Sequence, residues 1–145
     1  MRVAAYQAPY RPYPSVGGAE LVVPHLERAR AEGVELLCCP EALIGELANE
    51  SDRDSPATVA LSVNDGELAE AIAPLLGWDM TIVIGFTERS VSGALHNAAA
   101  VIDDRRVAGI YRKTYPGHSV CAAGTDLPIF QHGEVAFGVL ILVCV

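Results

Sequence analysis

The feature that most constrains this chain is an apolar run that stops at a proline and a carboxylate: Val34-Glu35-Leu36-Leu37-Cys38-Cys39-Pro40-Glu41. From Leu36 to Pro40 the run offers water little but backbone, which predicts a strand buried on both faces. Pro40 has no N–H and ends the pairing, leaving Glu41 at the carboxyl end of the strand. In open α/β sheets that edge is where ligands and catalytic groups gather, because its loops vary over a rigid scaffold. Taken alone, Glu41 reads equally well as a surface glutamate. A second stretch, Gly109-Ile110-Tyr111-Arg112-Lys113-Thr114-Tyr115-Pro116, tilts the balance: here too a strand runs into charge, the pair Arg112-Lys113, and then a proline.

Size and charge bound the rest. A chain of 145 residues fits one domain and can bury roughly 68–70% of its unfolded surface. Apolar residues make up 51% and charged residues 19%, so some apolar surface is expected to meet another chain. The formal charge of −8 argues against nucleic-acid and anionic-membrane partners, and only Arg105-Arg106 and Arg112-Lys113 are adjacent basic pairs. Met1 leads directly into a strand-like segment, so no signal peptide is expected. The longest apolar run, Val135 to Val145, is too short to cross a bilayer, which makes a cytoplasmic protein the default. Cys38, Cys39, Cys121 and Cys144 form no C-x-x-C pair and have no histidine spacing for zinc, so neither metal nor cofactor is expected. Cys38 and Cys39 point to opposite faces of a strand and read as buried, reduced thiols.

Along the chain, Arg2 to Ala8 predicts a short strand and Pro9 to Pro14 an irregular connection. Ala19 to Glu32 has helical apolar spacing, with Pro24 tolerated only in a first turn and Gly33 as the stop. Strand, helix and strand make a βαβ unit with parallel strands. Glu46 to Val63 carries loop chemistry. Asn64 or Asp65 caps a second helix through Leu75, which Gly77 ends, and Met80 to Phe86 is another strand buried on both faces. Leu95 to Asp103 and Val107 to Arg112, joined at Asp103-Asp104, form an antiparallel hairpin. A loop to Asp126, a short strand near Ile129-Phe130 and a last strand from Val135 onward complete an α/β chain: a mixed β-sheet with helices on one face.

The order of motifs resembles the nitrilase superfamily of carbon–nitrogen hydrolases over nearly the whole chain. It comprises Cys39-Pro40-Glu41, Gly85-Phe86-Thr87-Glu88, His96-Asn97-Ala98-Ala99-Ala100-Val101-Ile102, Gly109 to Lys113, and Phe137-Gly138-Val139-Leu140-Ile141. The resemblance implies half of an α-β-β-α sandwich, with residues 1–145 as the N-terminal portion of the hydrolase domain and the C-terminal half absent. It also implies a Cys-Glu-Lys site acting on a small amide, nitrile or carbamoyl substrate. A thiolate attacks the substrate carbon, Glu41 carries the proton to the departing nitrogen, and Lys113 stabilises the tetrahedral intermediate.

The resemblance breaks where the family sets its nucleophile. This chain has Leu142 there, with Cys144 two positions later. Residues i and i+2 share a strand face, but Cys144 would sit about 6.6 Å further along, where ~1 Å of misplacement can already cost ~100-fold in rate. The family's second glutamate has no counterpart in His118-Ser119-Val120-Cys121. Two readings follow. One is a hydrolase whose chain is incomplete or inactive alone, the other a non-catalytic interaction module that keeps the fold without the nucleophile. Glu88 reads as structural or solvated, Asn97 and Tyr111 as holding backbone or packing rather than substrate, His96 as a satisfied histidine, Trp78 as core and Cys121 as a spectator. An exposed apolar strand from Val135 to Val145 would favour a homodimer or larger homo-oligomer.

Overall fold

A computed structural model describes residues 1–9, 17–45, 56–103, 105–117 and 120–142. The expected connection at Pro9–Pro14, the first half of the Glu46–Val63 loop, Asp104, His118, Ser119 and the candidate nucleophile Cys144 lie largely or wholly outside the described residues.

The frame is a five-stranded sheet in the order β1 (Val3–Ala5), β2 (Leu36–Cys38), β3 (Thr81–Arg89), β4 (Leu95–Asp103) and β5 (Arg106–Arg112). β1, β2 and β3 run parallel, and β3, β4 and β5 alternate in direction. The expected βαβ unit and hairpin are thus both present, in one mixed sheet. Alternation along the strands sorts the core into two layers. Ile82, Ile84, Phe86, Ala98, Ala100 and Ile102 face the helix layer, where Leu26 of α1 (Val23–Ala31) and Leu68 and Ile72 of α2 (Glu67–Ile72) pack. Leu36, Val83, Ala99 and Val101 face the other way, against Phe130 of the separate hairpin β6 (Ile129–His132) and β7 (Val135–Gly138). Gly109 makes room for this hairpin: a Cβ there would stand 2.8 Å from the Phe130 ring. Cys38 packs on the hairpin side and Cys39 on the helix side, as strand alternation requires.

Three elements depart from expectation. The first helix is split into a 3-10 turn at Gly17–Leu21 and α1, with Pro24 in the first turn where its missing N–H costs nothing. The second helix is capped by Gly66 at φ 83° rather than by Asn64 or Asp65, because those residues lie in a turn held by Ser62. The Ser62 hydroxyl accepts from the Asp65 backbone N–H, and the Ser62 N–H donates to Glu67. The last strand stops at Gly138 instead of running on. In its register Ile129 pairs with Gly138, so the next pairing would fall to Pro128, which has no N–H to give. No helix among the described residues is long and apolar enough to cross a membrane.

Candidate active site

The Glu41 loop is an excursion from an otherwise continuous ladder. Cys39 donates to Val83 O, Gly85 to Pro40 O, and Ile44 to Gly85 O, so the chain pairs with β3 before and after Glu41-Ala42-Leu43. Those three residues are pushed out, and Ala42 takes the left-handed φ of 47° that residues with a Cβ rarely adopt. The displaced backbone passes directly over Gly85. A Cβ on Gly85 would be 2.5 Å from Pro40 O, 2.8 Å from the Glu41 carbonyl carbon and closer still to the Ala42 nitrogen. A glycine in β3 therefore lets Glu41 stand on the hairpin-side face of the sheet.

On that face two further side chains meet it. Asn97 in β4 lies across from Thr87, and its carbonyl accepts from the Lys113 N–H at 2.8 Å, which sets Asn97, near the start of β4, beside Lys113, just past the end of β5. Lys113 Nζ donates to Glu41 Oε1 at 2.8 Å and to the carbonyl of Leu142 at 2.7 Å. Asn97 Nδ2 donates to the same Oε1 at 2.6 Å. The Lys113 residue is only 7% exposed, so its charge is compensated by the carboxylate and the carbonyl rather than by bulk water. Glu41 and Lys113, 72 residues apart in sequence, thus share one mouth of the sheet. The carbonyl of Leu142 is brought to the same place, and 76% of the residue is exposed.

The neighbouring residues have other tasks. Glu88, 2% exposed, is held by Arg112 through Nε and Nη2, each at 2.6 Å, and this carboxylate raises the Arg112 pKa. Alternation places that pair on the helix-side face, where a cleft of about 470 Å³ is lined by Glu88, His96, Arg112 and Asp126 but by neither Glu41 nor Lys113. His96 is satisfied by Ala122 O at 3.0 Å. Tyr111 is buried. Trp78 is half-buried under the Arg30 guanidinium. Burial raises the Cys121 thiol pKa, opposed by the Asn97 backbone N–H and the Lys113 charge, so Cys121 lies beside the pair rather than apart from it. Burial lifts Cys39 to about 12. Among the described residues no group of three or more His, Cys, Asp or Glu side chains is placed to hold a metal ion.

Asn97 reads from the sequence as holding backbone or packing, and the fold sets its side chain against the candidate acid. Its pairing with Lys113 follows from hairpin register, which the irregularity between Val101 and Ile102 obscures.

The sequence profile described as carbon-nitrogen hydrolase matches residues 2–143. A curated relative from Pseudomonas protegens, described as a hydrolase in the pqqF 5′ region, is 32% identical across 97% of this chain and 50% of its own length. The chain therefore spans about half the length of the curated relative it matches. Among solved structures, an amidase variant from Nesterenkonia sp. AN1 in complex with butyramide aligns with a TM-score of 0.74 at 18% identity, covering 97% of this chain and 55% of that one. A carbon–nitrogen hydrolase from Helicobacter pylori G27 aligns at 0.67 with 20% identity, covering 86% and 45%. A glutamine-dependent NAD+ synthetase from Acinetobacter baumannii also aligns at 0.67, with 23% identity, covering 88% and 25%. These structures share the fold, and the profile match across nearly all of the sequence carries the assignment: the chain belongs to the carbon–nitrogen hydrolase family.

Proposed function

We propose that this chain carries the acid–base and cationic part of a Cys-Glu-Lys site for hydrolysis of non-peptide carbon–nitrogen bonds in a small amide, nitrile or carbamoyl substrate. In this reading residues 1–145 are the N-terminal portion of the domain and are inactive alone. The observation that supports it is the Lys113 ammonium, which bonds both the Glu41 carboxylate at 2.8 Å and the Leu142 carbonyl at 2.7 Å, Leu142 being where the family pattern sets its thiol. Glu41 takes the thiol proton and returns it to the leaving nitrogen. An ammonium has three N–H donors. Among the described residues two are used, which leaves the third to meet the oxyanion of the tetrahedral intermediate, a role worth ~3–4 kcal/mol where a single donor has been removed. The free thiols Cys38, Cys39 and Cys121 suit a reducing, cytoplasmic setting. Exposed Ile129 and Leu140, at 73% and 71% on the hairpin and the segment after it, support self-association or pairing with a second chain.

The second reading is a non-catalytic module, favoured by the leucine at position 142. Acrylamide labelling separates the two. In a Leu142→Cys chain the installed thiol is expected to react about 100-fold more slowly once Glu41→Gln removes the base. Equal rates with and without Glu41 would refute the hydrolase reading. In the native chain, Glu41-dependent labelling of Cys144, with ammonia release from butyramide, would return the nucleophile to that residue and overturn the expectation of inactivity.

A further inference from the structure

We infer that Asn97 is a positioning residue that divides the Glu41 carboxylate into an anchored oxygen and a working one. The inference rests on the proposed role of Glu41 and extends it to a residue that the Cys-Glu-Lys pattern does not include.

Both strong donors at the site, Asn97 Nδ2 and Lys113 Nζ, converge on Oε1 at 2.6 and 2.8 Å, and no described residue donates to Oε2. A carboxylate oxygen that accepts two charge-assisted or short hydrogen bonds is fixed in direction and less available to a proton. The proton is therefore expected to move through Oε2, which keeps its lone pairs. The orientation of the Asn97 amide is not ambiguous, because an ionised carboxylate only accepts and the NH₂ must face it. That orientation has a cost. Asn97 Oδ1 is buried and without a partner among the described residues. An asparagine placed only for packing would be expected to satisfy both ends of its amide or to be replaced by an apolar residue, since orphaned buried acceptors are uncommon. The donor to Glu41 is what this arrangement keeps. Asn97 also links the two partners through the backbone, its carbonyl accepting from the Lys113 N–H at 2.8 Å. One residue thus sets the distance between acid and ammonium and the rotation of the acid.

Two measurements test this. In the native chain, one of the two Asn97 side-chain NH₂ protons is expected to exchange slowly in nitrogen-resolved NMR, and that protected signal is expected to vanish in Glu41→Ala. A freely exchanging Asn97 NH₂ in the folded chain would overturn the inference, and this readout needs no turnover. In the Leu142→Cys background, Asn97→Leu removes the donor and the orphaned acceptor together while keeping the branched heavy-atom shape. It is expected to leave melting unchanged or raised and to slow acrylamide labelling about tenfold, with Asn97→Ser recovering part of the loss. If Glu41→Gln slows labelling and Asn97→Leu does not, this inference fails while the hydrolase reading stands. If neither slows it, the reading of Glu41 fails first.

Discussion

Replacing Gly85 with alanine should displace Glu41 without touching it. The new methyl carbon would stand 2.5 Å from Pro40 O, where ordinary contact starts at 3.4 Å, so the backbone carrying Glu41 must move by about 0.9 Å. The neighbours it meets are all main chain, which cannot rotate aside as the end of a side chain can. Adding about 0.9 Å to the 2.6 and 2.8 Å bonds at Glu41 Oε1 takes both past the ~3.2 Å limit of a good N–H···O bond. Overpacking of this kind costs about 1–3 kcal/mol. For a chain of this length that corresponds to a melting shift of about 2–12 °C. Gly138→Ala is the control, because its nearest neighbours are at 3.9 and 4.0 Å and it needs no left-handed φ. Urea unfolding of both variants gives the stability difference, and the protected Asn97 NH₂ signal reports whether Glu41 has moved. Gly85→Ala with native stability and an intact Asn97 signal would refute the idea that a glycine in β3 sets the position of the acid.

Other outcomes follow from the same geometry. Arg112→Met strands the buried Glu88 carboxylate. Because the Arg112 side chain is itself 38% exposed, the loss in urea unfolding should fall near the low end of the range for broken buried pairs, about 3 kcal/mol, and adding Glu88→Leu should recover most of it. Glu32, Glu35 and Glu67 all have depressed carboxyl pKa values, the first through Arg28, the second through the Arg2 backbone N–H, the third through the Ser62 backbone N–H and then Arg89. Their contribution is complete above the unfolded value of about 4.3 and is lost as pH falls through the lower folded values. Urea midpoints should therefore drop below pH 4.5, and less steeply in Glu67→Gln; an unchanged acid limb would count against these bonds. With Cys39 lifted to about 12 and Cys38 and Cys121 also raised by burial, a disulfide reagent at pH 8 should modify all three far more slowly in the native chain than in denaturant. Sedimentation at micromolar concentration should reveal a dimer or larger species that Leu140→Lys weakens, and a well-folded monomer would contradict self-association.

Much of the architecture was determined by pattern alone. The apolar runs at Leu36–Pro40 and Met80–Phe86 read as strands buried from both sides, which the structure places at Leu36–Cys38 and from Thr81 onward, and the spacing around Leu26 and Leu68 reads as helices covering one of those sides. Residues that end a strand in Pro-Glu or Arg-Lys advertise its carboxyl edge, so Glu41 and Lys113 were legible as a pair before their contact was known. What the tertiary structure decided is where side chains meet across distant segments. The bulge at Glu41–Leu43 depends on a glycine more than forty residues away. The Asn97–Lys113 pairing depends on a register that slips at Val101. The end of β7 depends on Pro128, the residue just ahead of its partner strand β6, rather than on the apolar run it belongs to. Periodicity records which face a residue occupies, because that is a property of its own segment. Register and close approach are properties of two segments at once, and only the packed chain fixes them.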